Sequence, residues 1–141
     1  MHIGAAGGYF APSFAKATAQ ALYSPREAVI AGSGTPSGRA RKVPGGYAVT
    51  GTWRFASGAQ YASLFTAAAV CEEDGATRAF AFSPGQVRVT HDWRAFGLKG
   101  TSTDTIEVED AFVPGERAFV AGSHVRNVTD PVAAALYRLP F

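Results

Sequence analysis

Glycine turns punctuate this chain so closely that only short strands fit between them. Pro44-Gly45-Gly46, Asp74-Gly75, Ser83-Pro84-Gly85 and Pro114-Gly115 mark four such points. Proline presets φ and glycine accepts positive φ, so Pro-Gly suits the centre of a type II turn. Asp-Gly favours a tight hairpin. GRARKV (38–43) and YAVTGTWRFAS (47–57) flank the first turn, and SLFTAAAVC (63–71) and TRAFAFS (77–83) flank the second. QVRVTHDW (86–93) follows the third. In TIEVEDAFV (105–113), before the fourth, Ile106 and Val108 share one face and Glu107 and Glu109 the other. A shorter apolar run, AVIAGS (28–33), comes first. The pattern predicts a mainly β fold, an antiparallel β-barrel or sandwich of about six to eight strands.

The ends read as short helical segments. In PSFAKATAQALY (12–23), Phe14, Ala17, Ala21 and Leu22 fall on one face, and Ser24-Pro25 stops the helix. Near the C-terminus Asp130 fits an N-cap and Pro131 a first helical position. About two turns remain before Phe141, too few for stability without packing. The expected organisation is the end of a helical domain over 1–25, a β-domain over 26–122, and a linker opening a second helical domain over 123–141.

A chain of 141 residues with 47% apolar content can bury one core, which excludes a disordered chain. A net charge of +2 gives no ground for nucleic acid as a partner. No apolar run is long enough for a membrane span. The single cysteine, Cys71, excludes an internal disulfide framework and fits a reducing, cytoplasmic setting. His2, His91 and His124 lack metal-ligand spacing, so no metal site is expected.

Three segments carry groups able to meet a ligand. In GTWRFASG (51–58), period-two alternation aims Val49, Gly51, Trp53, Phe55 and Ser57 one way. That face is aromatic and ends in a hydroxyl, with Gly58 free to turn; a core strand followed by a turn explains the same pattern. AGSGTPSG (31–38) offers Ser33, Thr35 and Ser37 in what reads as a loop, without the lysine of a phosphate loop. WRAFGLKGTSTDT (93–105) bends at Gly97 and Gly100, and Asp104 can bond nearby backbone. His91-Asp92 could form an acid–base pair or merely end a strand. Arg39, Arg41 and Lys42 read as a solvated strand edge.

The order GYAVTGTWRFASGAQYA, a β-rich stretch, then WRAFGLKGTSTDTIEVEDAFVP resembles the middle β-domain of the acyl-CoA dehydrogenase superfamily. The closer likeness is to two-component flavin-dependent monooxygenases of the aromatic and steroid hydroxylase type, over residues 26–120. Their patterns are G-x-W-x-F-x-S-G and, later, G-L-(R)-G-T-x-S-x-D. Lys99 stands where arginine is usual, which keeps the charge but loses the planar fork. The dehydrogenase branch carries T-E-P-x-A-G-S-D and W-I-T, where this chain has AGSGTPSG and Phe55-Ala56-Ser57.

The resemblance implies that Phe55, Ala56, Ser57 and Gly58 line a flavin, with Phe55 near the ring and Ser57 near N5 as a hydrogen-bond donor. It implies that Ser33 touches flavin or substrate. No catalytic residue is assigned within the chain. Reduced flavin, FMN or FAD, would come from a flavin reductase, and oxygenation of a small organic substrate would pass through a flavin C4a-hydroperoxide. A homo-oligomer fits the family, whose flavin also meets the C-terminal helical domain, so flavin binding by this chain alone is expected to be weak or absent. The alternatives are the middle domain of an acyl-CoA dehydrogenase and a non-catalytic β interaction module.

Overall fold

The computed structural model describes residues 10–25 and 28–120; the expected C-terminal helix at Asp130 lies outside them. Seven strands are present among the described residues: β1 (Ile30–Val43), β2 (Gly46–Ala56), β3 (Leu64–Cys71), β4 (Thr77–Phe82), β5 (Arg88–Thr90), β6 (Asp104–Pro114) and β7 (Ala118–Val120). They form one sheet in the order β5-β6-β2-β1-β3-β4-β7. The mainly β expectation holds, with two differences. The sheet is open, with β5 and β7 at its edges, and it is not wholly antiparallel: β1 and β3 run parallel. Parallel neighbours usually need a long crossover. Here β2 supplies the return pass, and the short 57–63 connection steps over the end of β1. Ser63 N–H donates to the Val29 carbonyl there at 2.8 Å.

The turn chemistry acts as its composition dictates. Gly45 (φ +82) turns β1 into β2, and Gly75 (φ +65) turns β3 into β4. Arg78 grips Asp74 with both guanidinium nitrogens, at 2.9 and 2.7 Å. That pair and the Ala76 amide hold the Asp74 carboxyl at about 2. The 31–38 segment corrects the sequence reading, because it continues β1 instead of forming a loop. Its register against β3 shifts between Ser33 and Gly38, where β1 bulges. Arg39, Arg41 and Lys42 also differ from expectation: β1 is central, so none lies on an edge strand; Arg39 and Arg41 are exposed on the face opposite buried Ala40, and Lys42 is exposed beside the turn that ends the strand.

The core lies on the inner face of the curved sheet, around Trp53, Phe80, Phe82, Ile106 and Val113. Trp53 is wholly buried, and its indole N–H donates to the Ala68 carbonyl at 2.7 Å. Two glycines make room for the ring. A Cβ on Gly38 would stand 2.3 Å from the indole, and one on Gly51 would stand 2.6 Å from it. Both faces of alanine-rich β3 are buried.

The outer face of β3, β4 and β7 meets α1 (Lys16–Tyr23), preceded by a 3-10 turn at Ala11–Ser13. The helix is shorter than predicted and turned on its axis. Ala19, Leu22 and Tyr23 pack inward, whereas Ala17 and Ala21 are exposed. Phe14, ahead of the helix, sets its ring edge-on to Phe119 at 4.8 Å.

Candidate functional site

The end of β2 departs from simple alternation. Trp53 pairs with Ile106 and Ala56 with Asp104, so β2 carries one residue more than β6 across this step. Such a bulge reverses the faces beyond it. Phe55 takes φ +66 and is 61% exposed, while Ala56 is wholly buried. The expectation that Phe55 shares the face of Trp53 is therefore corrected: Trp53 belongs to the core, and Phe55 is turned out of it. A bulky residue at positive φ is strained, and such strain persists where the surroundings enforce it. The Arg54 guanidinium lies over the Phe55 ring, 5.1 Å from its centroid.

Beyond the bulge the chain turns at Gly58 (φ +84) into a 3-10 turn, Ala59–Tyr61. The Gly58 amide donates to the carbonyls of Thr101 and Ser102, at 2.8 and 3.1 Å. The Ala59 amide also reaches Ser102 O, at 3.2 Å, and the Gln60 amide reaches Ser102 Oγ at 3.3 Å. The two motifs that stood apart in sequence thus form one unit. Ser57 is half-buried at its centre. Its Oγ lies 3.0 Å from Thr103 Oγ1, which lies 2.7 Å from Thr101 Oγ1. The Thr101 hydroxyl donates to the Leu98 carbonyl at 2.9 Å.

Two carboxylates hold the 91–103 loop in place. Asp104, buried, accepts from Ser102 Oγ at 2.5 Å, from the Trp93 amide at 3.0 Å, and lies 3.4 Å from His91 Nδ1. Burial pushes its carboxyl upward, but these donors outweigh burial and leave it below its ordinary range. Asp92 accepts from the Thr105 hydroxyl at 2.6 Å and amide at 2.8 Å, and these bonds lower its carboxyl too. His91 and Asp92 are therefore not a pair: each is engaged elsewhere. Leu98 (φ +51) and Ser102 (φ +43) are held in left-handed conformations. Phe96 and Leu98 project from the loop, exposed.

Of the predicted residues, Phe55, Ser57 and Gly58 meet at this unit, and Ala56 contributes backbone, its side chain being buried. Ser33 stays outside the hydroxyl chain, on β1 where it pairs with Ala67. Sequence reasoning missed Thr101 and Thr103; the repeated hydroxyls of GTSTDT were the available signal. A groove of about 520 Å³, lined by Thr50, Thr52, Gln86, Arg88, Glu107 and Glu109, shares none of the site's residues. Arg88 is paired with Glu107 there. Among the described residues no cluster of three His, Cys, Asp or Glu could hold a metal, and no helix is long and apolar enough to cross a membrane.

An exposed, strained aromatic beside a half-buried hydroxyl fits a planar ring that is apolar on its face and polar at its edge. Flavin is such a ring, so the residues present fit it.

No protein-family model matches the chain. It is 34% identical over 121 residues to a pigment production hydroxylase of a Rhodococcus species, covering 80% of this chain and 31% of that protein. It is 32% identical over 119 residues to HsaA of Rhodococcus jostii, the oxygenase subunit of a flavin-dependent monooxygenase, covering 79% and 31%. It is 35% identical over 95 residues to the oxygenase component of a FADH2-dependent resorcinol hydroxylase of a Rhizobium species, covering 64% and 23%. Among solved structures, the 3-HSA hydroxylase of Rhodococcus sp. RHA1 superposes with a TM-score of 0.76 at 28% identity, covering 89% of this chain and 36% of that one. The homologues and structural neighbours of the chain are oxygenase subunits of two-component flavin-dependent monooxygenases, relatives of the acyl-CoA dehydrogenase fold. The chain spans about a third of the length of the curated relatives it matches.

Proposed function

We propose that this chain is the flavin-facing β-domain of an oxygenase subunit in a two-component monooxygenase. A separate reductase supplies reduced FMN or FAD, and a small aromatic substrate is oxygenated. When bound, the flavin supplies the redox chemistry and the activation of oxygen. The chain's own residues do the rest. Phe55 covers part of the ring, Ser57 meets its polar edge, and the Gly58 turn keeps backbone clear of it. Ala56 backbone and Ser33 complete the proposed contact set. Phe96 and Leu98 present apolar surface that a helical domain or a second subunit would cover, shielding the site from water. A cytoplasmic setting suits delivery of reduced flavin.

The observation that carries this reading is Phe55. A core-filling aromatic would be buried at ordinary φ, yet this one is turned outward at φ +66 beside Ser57. Anaerobic titration of the chain with reduced FMN and reduced FAD tests it. Saturable binding is expected, in the weak range proper to one wall of a site, and Phe55→Ala should weaken it about tenfold. Binding untouched by Phe55→Ala would refute the placement.

A further inference from the structure

The strain at Phe55 is held from outside its own strand. Phe55 stands at φ +66 with its ring exposed, so burial of the ring does little to keep it there. The Ser57 amide closes a tight turn onto the Phe55 carbonyl at 3.1 Å. From Ser57 to Gln60 the chain is then bonded to the 91–103 loop. Ser57 Oγ lies 3.0 Å from Thr103 Oγ1, the Gly58 and Ala59 amides donate to the Ser102 carbonyl at 3.1 and 3.2 Å, and the Gln60 amide donates to Ser102 Oγ at 3.3 Å. The loop side of this seam is strained too, with Ser102 at φ +43. Asp104 holds Ser102 by its hydroxyl and Trp93 by its amide. The Trp93 indole N–H and the Thr101 amide and hydroxyl all donate to the Leu98 carbonyl. The loop is therefore braced internally, and Phe96 and Leu98 stand exposed at its tip.

We propose that the 91–103 loop is a conformational strap: docked through Ser102, it enforces the outward, strained state of Phe55, and undocked, it lets the end of β2 return to ordinary alternation. In a regular strand Phe55 would point to the face opposite Arg54. The docked state instead sets the two side chains together, with the guanidinium 5.1 Å from the ring centroid. The strain at Phe55 opposes docking and the seam bonds favour it, so loop docking and ring exposure are one equilibrium. By linkage, whatever orders the loop, its exposed tip included, favours the outward Phe55, and whatever grips the outward ring favours the docked loop. Ser102, Asp104 and Trp93 act as positioning residues. The strap goes beyond the flavin reading, because it is a property of the free chain and holds for any ligand of Phe55.

NMR and amide exchange of the 141-residue chain test this without any ligand. The Phe55 amide–Hα coupling should take its left-handed value, and the Phe55 ring should shift the Arg54 side-chain protons. Ser102→Gly accepts the positive φ but removes the hydroxyl that meets Asp104 and Gln60. The Phe55 coupling should then move toward its extended value, and the Arg54 shift should shrink. Trp93→Phe removes the indole donor to Leu98 and leaves the seam bonds in place. It should move the same signals in the same direction, by less. Phe55→Gly removes the strain, so exchange at Ala59 and Gln60 should slow by about fivefold. A merely structural loop would not give that result, since deleting a side chain beside it would leave exchange unchanged or faster. Phe55 signals unmoved in folded Ser102→Gly overturn the strap. Exchange that fails to slow in Phe55→Gly overturns it as well, and decides the matter alone where Ser102→Gly does not fold. Phe55 signals unmoved in Trp93→Phe overturn the link to the loop tip.

Discussion

The Gly58 amide donates to the Thr101 carbonyl at 2.8 Å, tying the end of β2 to a loop that follows β5. The site is therefore a product of topology. Strand β2 brings Phe55 and Ser57 to this end of the sheet. Strand β6, paired beside β2, brings the loop back at Asp104, opposite Ala56.

The Gly58 turn needs a residue without a Cβ. Its φ of +84 costs an L-residue about 1–2 kcal/mol. Gly58→Ala should lower stability by about that much, measured by denaturant unfolding. Amide exchange should quicken at Ala59 and Gln60, whose donors rely on the same turn.

Trp53 and its two glycines should behave as one packing unit. Trp53→Ala should cost about 3–5 kcal/mol, as for other large core deletions. Gly38→Ala should cost about 1–3 kcal/mol, since its Cβ would stand 2.3 Å from the indole. The double variant should lose less than the sum of the two single losses, because removing the indole vacates the space the new methyl needs. Chemical denaturation of the three variants measures this.

Phe55 should trade stability for function. Its exposed ring contributes little burial, while its left-handed φ carries a cost that glycine avoids. Phe55→Gly should keep or raise stability, by up to about 1 kcal/mol, while weakening flavin binding. Thermal unfolding and flavin titration on the same variant would show the two effects moving in opposite directions.

Acid should release the 91–103 loop. The carboxyls of Asp92 and Asp104 are depressed in the folded chain, below their ordinary 3.8. Their stabilising effect is therefore complete above 3.8 and is lost as pH falls through the lower folded values. Protection of the Trp93 and Thr105 amides should hold at neutral pH and decline below about 3.8. In Asp92→Asn the Thr105 amide should lose this acid dependence.

Much of the fold was legible because turn chemistry is local. Pro44-Gly45 and Asp74-Gly75 announce their hairpins in two residues each, and Ile106 and Val108 alternate as a half-buried strand should. The parallel β1–β3 pair was hidden because register across a sheet is not local. The continuation of β1 through 31–38 was hidden because glycine and proline there resemble a loop. At the site, the resemblance led to Phe55 and Ser57, but alternation assigned Phe55 to the wrong face. A one-residue bulge leaves no mark in composition. Thr101 and Thr103 went unassigned because the contact that joins them to Ser57 spans 46 residues of sequence.

The central claim is that the end of β2 is a flavin wall. A crystal structure of the chain with reduced FMN tests it most directly. The account predicts the ring in van der Waals contact with Phe55, with N5 within hydrogen-bond distance of Ser57 Oγ. A ring bound elsewhere, such as the Arg88–Glu107 groove, with Phe55 and Ser57 left bare, would contradict it.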